Sequence, residues 1–320
     1  MSNPFIDEEP DYFERQIRAM WFTGMGKSVH VHGPRSGREG IHLAAGQVKG
    51  IWHSQVETNW KSGAFQEGSK QKSVKWLHRD MKIGLHVMDS EDQSFEDNDS
   101  EFMKLFAYEE DEWDDDPEPT TLHIDTAKSG ERKLDLLMYE EPEFDPDLDP
   151  IEAQYANLIL KVRAGQPFWY QDDVIKTFSS SATSASGFIE VENPTPRPMK
   201  HKWILTKGTW TIPDVSWKGA KYNRRPGGVY ATRSIPLNPI TDDQGGIVIS
   251  LDTANDLMVR DHNFTNALPA LVPNGMFFMH VIPPYTPKQL LPISYTDAPA
   301  GGAMAQLVQP RRFNRPWGEE

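Results

Sequence analysis

Cysteine is absent from this chain of 320 residues, which excludes disulfide bonds and metal sites built from thiolates. Long apolar runs are also missing: no stretch of about 18 apolar residues occurs, so the sequence predicts no membrane-spanning helix. The first residues, MSNPFIDEEPDYFERQ, lack the basic flank and the apolar centre of a secretory signal. We therefore expect synthesis and folding in a cytosol.

Basic residues are scarce in one part of the chain, the acidic block from Asp89 to Glu118. This block contains fifteen acidic residues and one base, Lys104. Removing it from the totals of 47 acids and 33 bases leaves 32 of each, so the formal charge of −14 belongs to the block. Because such a surface repels phosphates, the sequence does not favour specific nucleic-acid binding.

The tripeptide Gly26-Lys27-Ser28 matches the end of the phosphate-binding loop G-x-x-x-x-G-K-S/T. That loop requires its first glycine at position 21, where Trp21 stands. It also requires a helix after the serine, whereas SVHVHG alternates as a β-strand does. The pattern therefore does not predict a nucleotide hydrolase.

Four histidines could form a metal site only if distant segments meet. His30 and His32 would lie on one face of a strand, and His42 or His53 would have to supply a third ligand. We favour the alternative that these histidines are exposed or hydrogen-bonded on a polar face.

The segment DPDLDP begins like the calcium loop of an EF-hand, with Asp145, Asp147 and Asp149. That loop needs glycine at its sixth position and glutamate at its twelfth, where Pro150 and Ala156 stand. No pair of carboxylates stands out for glycoside hydrolysis, and no nucleophile elbow appears. The sequence predicts neither an enzyme nor a resident metal or cofactor.

Alternating apolar and polar residues in the first half of the chain predict β-strands. In RKLDLLMYE, for example, Leu134, Leu136 and Met138 would share one face of a strand. Strands are therefore expected to build most of this half.

One amphipathic helix is predicted within NDSEFMKLFAYEEDEW. Its apolar face would consist of Phe102, Leu105 and Phe106, at the spacing i, i+3 and i+4. Asp99 or Ser100 would be its N-cap, because short polar side chains accept hydrogen bonds from the first free backbone N–H groups.

The second half contains short strand-like segments separated by Gly, Pro and Asn turns, which predicts a β-sandwich. We place the boundary between two domains near residues 165–175. No period of about 20–50 residues repeats, so a solenoid or propeller is not expected.

Three tryptophans of the second half, Trp203, Trp210 and Trp217, are expected to fill the core or an interface. In the alternative interpretation, Trp210 stacks on a carbohydrate that Asn193 and Arg197 bind by hydrogen bonds. The residues alone leave both interpretations open, and we favour the first.

The segment QPRRFNRPWGEE combines three arginines with two aromatic residues: Arg311, Arg312, Phe313, Arg315 and Trp317. Its prolines argue against a regular helix or a central strand. We expect an arm that either docks on a neighbouring surface or is disordered. Its positive charge complements the acidic block, which would suit a contact between subunits.

Three segments of the chain carry a resemblance to a known family. They are RKLDLLMYEEPEFDPDLDPIEAQYANLILKVRAGQPFWYQDD, KWILTKGTWTIPDVSW and LPISYTDAPAGGAMAQLVQPRRFNRPWG. From about Gly37 to the carboxyl end, the sequence resembles the minor tail proteins of siphophages that infect actinobacteria. Within that group it is similar to the protein that follows the tape measure, which corresponds to the distal tail protein.

The resemblance implies a mainly β protein. Residues 1–170 would form a tail-tube-like, ring-forming β domain with one α-helix in the acidic segment at about 89–118. Residues 175–305 would form a galectin-like β-sandwich, based on IVISLDTANDLMV and on LVPNGMFFMHV, in which an Asn-Gly turn would join two strands. Residues 306–320 would form an extended C-terminal arm.

The function implied by the resemblance is structural. A ring, expected to be hexameric, would lie at the distal end of the virion tail, join the tail tube to the tail-tip and adhesion apparatus, and let DNA pass. Its partners would be further copies of the chain, the major tail tube protein, the tape measure protein and other minor tail proteins. The alternative is a carbohydrate-binding or glycoside-cleaving protein of two β domains.

Overall fold

A computed structural model of the protein describes residues 17–65, 67–115, 117–252 and 257–320. The chain divides into two compact units. The first contains the residues up to Tyr170 together with Phe313–Glu319, and the second contains Gln171–Arg312 with Glu320. β-strands dominate the fold, which confirms the predicted mainly β class.

The first unit contains most of the long strands. They are β1 (Ile17–Gly24), β2 (Lys27–His32), β3 (Ile41–Lys49), β4 (Val56–Lys61), β5 (Lys70–Trp76), β6 (Arg79–Met88), β7 (Thr120–Thr126), β8 (Gly130–Met138), β9 (Glu143–Phe144), β10 (Tyr155–Ala164) and the start of β11 (Trp169–Ser180). Two helices, α1 (Phe95–Met103) and the single turn α2 (Pro150–Ala153), replace the one predicted helix.

Antiparallel pairing joins the strands of the first unit in the order β2-β1-β7-β8-β10-β6-β3, and β9 pairs with β10. The register aligns Phe22 with Leu122 and Leu122 with Leu134, so one apolar row crosses three strands. These three residues are buried, as are Leu136 and Met138. The prediction that Leu134, Leu136 and Met138 share one face is confirmed.

Helix α1 begins one turn earlier than the sequence predicts. Its N-cap is Ser94, whose hydroxyl oxygen accepts a hydrogen bond from the backbone N–H of Asp97 at 3.3 Å. The predicted caps, Asp99 and Ser100, lie inside the helix, so that prediction is wrong. The reason is Phe95, which is buried and extends the apolar face by a full turn toward the N-terminus.

The predicted apolar stripe at the end of α1 is buried. Only Phe102 lies in the helix, and Leu105 and Phe106 follow it in a turn. The rings of Phe102 and Phe106 both meet Phe22 of β1 edge to face, at centroid distances of 5.9 and 5.4 Å. This aromatic cluster fixes the helix against the sheet.

Strands β4 and β5 form a two-stranded sheet of their own, which we call the hairpin (residues 56–76). All six residues of β4 and six of the seven in β5 are exposed. At its base, the ring of Trp76 lies 5.4 Å from the rings of both His53 and Phe168. The hairpin therefore projects from the first unit with both of its faces in solvent.

The second unit contains the remaining strands and one short helix. They are β12 (Ala185–Asn193), β13 (Lys202–Leu205), β14 (Thr209–Pro213), β15 (Trp217–Lys218), β16 (Arg225–Pro226), β17 (Ser234–Pro236), β18 (Ile247–Ser250), β19 (Val259–Asp261), β20 (Thr286–Thr296), β21 (Ala303–Phe313) and α3 (Leu268–Leu271). One antiparallel sheet has the order β12-β20-β14-β17, and a second contains β19-β18-β13-β21.

The core of the second unit draws on both of its sheets. Trp203 of β13 and Ile249 of β18 are buried together with Trp210 of β14 and Ile293 of β20. The prediction that Trp203 and Trp210 fill the core is confirmed. Because the alternating residues of each sheet point into one shared cluster, the pattern is that of two sheets packed face to face.

One predicted strand of the second unit is wrong. In LVPNGMFFMHV, residues 273–275 form a 3-10 turn, and residues 276–281 have no strand pairing. Part of the other segment used for the sandwich prediction, residues 253–256, lies outside the described residues. The apolar run is held here by Asp214, whose carboxylate accepts hydrogen bonds from the backbone N–H groups of Met279 and His280.

The C-terminal segment also differs from the prediction of an extended arm over 306–320. Residues up to Phe313 belong to β21, which pairs with β13 as far as Val308. Pro310 is tolerated because it lies beyond the last residue paired with β13. The rest of the segment is folded onto the first unit of its own chain.

Two buried arginines hold this last segment. Arg132 donates hydrogen bonds to the carbonyl oxygens of Arg315 and Gly318 at 2.8 and 2.7 Å, and its guanidinium lies 3.5 Å from the centroid of Phe313. Arg79 donates to the carbonyl of Asn314 at 2.7 Å. The segment therefore docks on its own chain, whereas the sequence left docking on a neighbouring surface and disorder as open alternatives.

Candidate functional site

The tripeptide Gly26-Lys27-Ser28 forms a hairpin turn and the start of β2. Gly26 has a φ of +69°, which suits the tight turn, and Ser28 continues as a strand. Lys27 forms an ion pair with Glu101 of α1, and the Lys104 ammonium lies 2.6 Å from the same carboxylate. Hydrogen bonds from Lys104 and Lys27 lower the pKa of Glu101 to about 2. The lysine therefore helps to hold α1 and is not part of a phosphate loop.

A polar cluster that sequence reasoning missed lies on β1, β7 and β8. The ring of Trp21 stacks on His123 at 4.8 Å and on His30 at 5.6 Å. His123 Nε2 lies 2.8 Å from the hydroxyl of Thr23, and its Nδ1 lies 2.8 Å from a carboxylate oxygen of Glu131. Burial lowers the pKa of His123, although Glu131 opposes that shift.

The chain Thr23–His123–Glu131 has the connectivity of a nucleophile triad. Catalysis would also need backbone N–H groups that point at the developing oxyanion. Strand β1 is paired with β2 on one side and β7 on the other, so the N–H groups around Thr23 serve the sheet. The geometry instead indicates that these three side chains link β1, β7 and β8 by hydrogen bonds. The only sequence signal for it was the polar alternation within TTLHID.

Two further histidines considered as metal ligands, His42 and His53, form local contacts instead. The Nδ1 atom of His42 lies 3.2 Å from the Ser36 hydroxyl, and that of His53 lies 3.0 Å from the carbonyl oxygen of Ser54. Within the described ranges, no group of three or more histidine or carboxylate side chains is arranged to hold a metal ion.

The EF-hand-like segment has a local structural role. The Asp149 carboxylate accepts hydrogen bonds from the N–H groups of Ile151 and Glu152 at 2.9 and 3.4 Å, and so caps α2. Pro150 occupies the first helical position, where its missing N–H costs nothing.

The residues considered for carbohydrate binding are used inside the second unit. The Asn193 side chain is fully buried, and its amide donates to the carbonyl oxygens of Arg197, Ile282 and Pro283 at 2.8–3.1 Å. Its Oδ1 accepts from the N–H and hydroxyl of Thr195. Asn193 therefore ties two loops together and has no capacity left for a ligand.

A second buried polar cluster surrounds Asp214. Its carboxylate forms an ion pair with Arg233 and lies 3.2 Å from Nδ1 of His280. His201, in the same part of the core, is fully buried, and this burial lowers its pKa to about 4, against a small opposing effect of Asp214. A neutral His201 is therefore part of the folded second unit at neutral pH.

The most exposed charged surface of the first unit follows α1. Residues 108–115, which we call the acidic loop, are all exposed and contain six carboxylates and no base. Two aromatic side chains lie among them, Tyr108 and Trp113, with exposed fractions of 58% and 89%. Large exposed aromatic residues beside unneutralised charge are typical of a surface that meets another protein.

The sites described so far share one property: each reactive-looking group is engaged in holding strands, loops or helices together. In the part of the chain that the structure describes, the hairpin and the acidic loop are largely exposed. Two β-rich units whose polar side chains hold strands and loops together have the features of a structural protein. Among the described residues, no helix has the length and apolar character needed to cross a membrane.

Comparison with known proteins agrees with that class. The chain is 23% identical over 344 residues to the minor tail protein Gp27 of Mycobacterium phage D29, covering 89% of this chain and 94% of the relative. Its identity to the minor tail protein Gp27 of Mycobacterium phage L5 is also 23%, over 331 residues with the same coverage. The chain is homologous to these proteins, which confirms the predicted resemblance.

The fold comparison extends over nearly the whole chain. The crystal structure of the Dit protein of phage SPP1, described as a paradigm of the hub adsorption apparatus in phages that infect Gram-positive bacteria, matches 91% of this chain. The match covers 98% of the SPP1 protein with a TM-score of 0.54 and 10% identity, so it shows a common fold. No protein-family model matches the chain. Homology and fold together support a structural role in the phage tail.

Proposed function

We propose that this chain is a distal tail protein that forms a ring, with six copies, at the distal end of a siphophage tail. The ring would join the tail tube to the tail-tip and adhesion apparatus and would let DNA pass through its channel. The observation that carries this proposal is the homology to tail proteins over 89% of the chain, together with a Dit-like fold over 91% of it.

The first unit is proposed as the ring-forming part. In its described residues, β3 pairs only with β6, so its other edge has no strand partner. The edge of β2 is partly covered, because the His30 N–H donates to the Glu39 carboxylate and the His30 carbonyl accepts from the N–H of Gly37. Open edges are a liability in a monomer, because they invite pairing with other chains. In a closed ring of identical copies, such edges become contacts between neighbours.

The acidic block is proposed to face the channel or the next ring. DNA must slide past this protein without sticking, and carboxylates repel its phosphates. The fifteen acids between Asp89 and Glu118 supply that charge. The second unit is proposed as the outward-projecting, galectin-like sandwich.

The proposed partners are further copies of this chain, the major tail tube protein, the tape measure protein and other minor tail proteins. Assembly by interface burial would be the mechanism, with no chemical step and no cofactor. The carbohydrate-binding alternative loses most of its residue basis, because Trp210 and Asn193 are buried in structural contacts.

The purified full-length chain provides the first test. Negative-stain images are expected to show rings with a central channel, and mass photometry is expected to show a species of six copies. A chain that stays monomeric at every concentration and binds cell-wall glycans would contradict the proposal and favour the carbohydrate-binding alternative.

A further inference from the structure

The hairpin is an unusual feature for a protein that is stable alone. A two-stranded sheet is marginally stable in water unless a further surface covers it. Here apolar side chains point into solvent from both strands: Trp60 is 55% exposed and Val74 is 46% exposed. The hairpin therefore has the composition of a covered element, but no described residue of its own chain covers it.

The tip of the hairpin supports the same conclusion. Phe65 is fully exposed and has a φ of +69°, a left-handed conformation that is unfavourable for an aromatic residue. Backbone strain of this kind is typical of recognition segments, where it holds a side chain in position for a partner. Phe65 is thus presented outward as an anchor.

Charge indicates which partner would cover the hairpin. Between Val56 and Trp76 there are four lysines and two glutamates, and the lysines are Lys61, Lys70, Lys72 and Lys75. None of these lysines forms an ion pair with another described residue. The surface that fits them must supply carboxylates and room for aromatic side chains.

The acidic loop has both of these properties. Its carboxylates Glu109, Glu110, Glu112 and Asp115 form no ion pair with any described residue, and Trp113 and Tyr108 stand exposed among them. These lysines and these four carboxylates therefore have no ion-pair partner among the described residues of one copy. In a ring of identical copies, each molecule offers both surfaces and can meet a neighbour on either side.

We propose that the hairpin of one copy docks on the acidic loop of the next copy and forms the joint between neighbours. This inference rests on the proposed function, because it assumes a ring of identical chains. It assigns the acidic loop to the contact between copies and leaves the acids that precede it, around α1, for the channel. Burial of Trp60, Phe65 and Trp113 would hold the joint, and the charges would select its register.

Cross-linking tests the joint directly, because the chain has no cysteine of its own. The double variant Ala64→Cys/Asp115→Cys keeps the aromatic side chains of the joint and, treated with a bismaleimide, is expected to give a ladder of covalent oligomers on a denaturing gel. A matched control, Ala64→Cys/Tyr222→Cys, places the second thiol at an exposed position of the second unit and should give no ladder. Absence of the ladder from the Ala64/Asp115 variant would overturn the inference.

Charge reversal supplies a second readout. Lys61→Glu/Lys72→Glu and Glu110→Lys/Glu112→Lys should each weaken self-association about tenfold or more, and the four changes together in one chain should restore it. The control Lys128→Glu/Lys218→Glu reverses the charge of two exposed lysines outside the hairpin and should leave self-association unchanged. Circular dichroism of each variant checks that the fold is intact.

The outcomes separate this inference from the proposed function. Rings of unchanged stability in both reversal variants would overturn the hairpin joint and leave the distal tail function standing. Binding of each variant to duplex DNA is measured as well. If Lys61→Glu/Lys72→Glu binds duplex DNA more weakly than the wild-type chain but self-associates as well as it does, the hairpin binds DNA and the joint is overturned. Absence of the wild-type chain from the tail tip would overturn the proposed function itself.

Discussion

At the scale of single residues, the buried polar side chains hold this protein in one conformation. Asn193 donates hydrogen bonds to three carbonyl oxygens and Arg132 donates to two, and both of these residues are buried. A buried hydrogen bond adds only about 1 kcal/mol, but a buried group left unpaired costs about 1–3 kcal/mol. These residues therefore specify which loops and segments meet.

His201 makes the second unit sensitive to acid. Its pKa is about 4 in the folded protein against an ordinary value of 6.5, because burial disfavours the charged form. Between these two values the unfolded chain binds a proton that the folded chain does not, so stability is lost as the pH falls from 6.5 toward 4. At pH 5 the loss should reach about 2 kcal/mol relative to pH 7.5.

Urea unfolding of the second unit at pH 7.5 and pH 5 measures this loss. His201→Gln should reduce the difference in unfolding free energy between pH 7.5 and pH 5, since the glutamine side chain does not titrate. His262→Gln, which changes an exposed histidine of the same unit, should keep the wild-type difference. An unchanged pH dependence in His201→Gln would show that another group is responsible.

At the scale of elements, the last segment of the chain is part of the first unit. Phe313 is buried in its core, and backbone carbonyl oxygens after it accept hydrogen bonds from Arg79 and Arg132. The indole of Trp317 also lies 4.9 Å from the ring of Trp52. The segment from Phe313 to Glu319 is therefore part of the fold of the first unit.

Removal of residues 313–320 should destabilise the first unit by about 3 kcal/mol or more, because it deletes the buried ring of Phe313, takes two carbonyl acceptors from Arg132 and takes one of the acceptors from Arg79. Differential scanning calorimetry of the truncated and full-length chains measures the change. Arg315→Ala, which keeps the backbone acceptors, should have a much smaller effect. Equal melting temperatures for truncated and full-length chains would contradict this account of the segment.

Elements whose signal is local could be predicted from the sequence. The stripe around Phe102 and the alternation of Leu134 and Leu136 were visible because the spacing alone determines the buried face. The N-cap at Ser94 was missed, because the contribution of Phe95 depends on the sheet beneath it. The packing of Phe313 was missed for the same reason: its partner Arg132 lies about 180 residues earlier in the chain.

At the scale of the whole molecule, composition and resemblance predicted the class better than any motif did. The motifs at Lys27, His30 and Asp149 proved to be structural, since each has a local partner in the fold. The charge of the acidic loop was visible in the sequence as part of the acidic block, but the exposure of the hairpin could not be recognised in advance. Strand patterns predict where chain is extended, whereas exposure on both faces depends on the complete tertiary fold.

A cryo-EM reconstruction of the tail of the virus that encodes this chain tests the central claim most directly. The account predicts that the two units fit into a closed ring of identical copies at the distal end of the tail, with acidic residues toward the channel or the adjoining ring. Density for this chain at another position, or as single copies without a closed ring, would contradict the account.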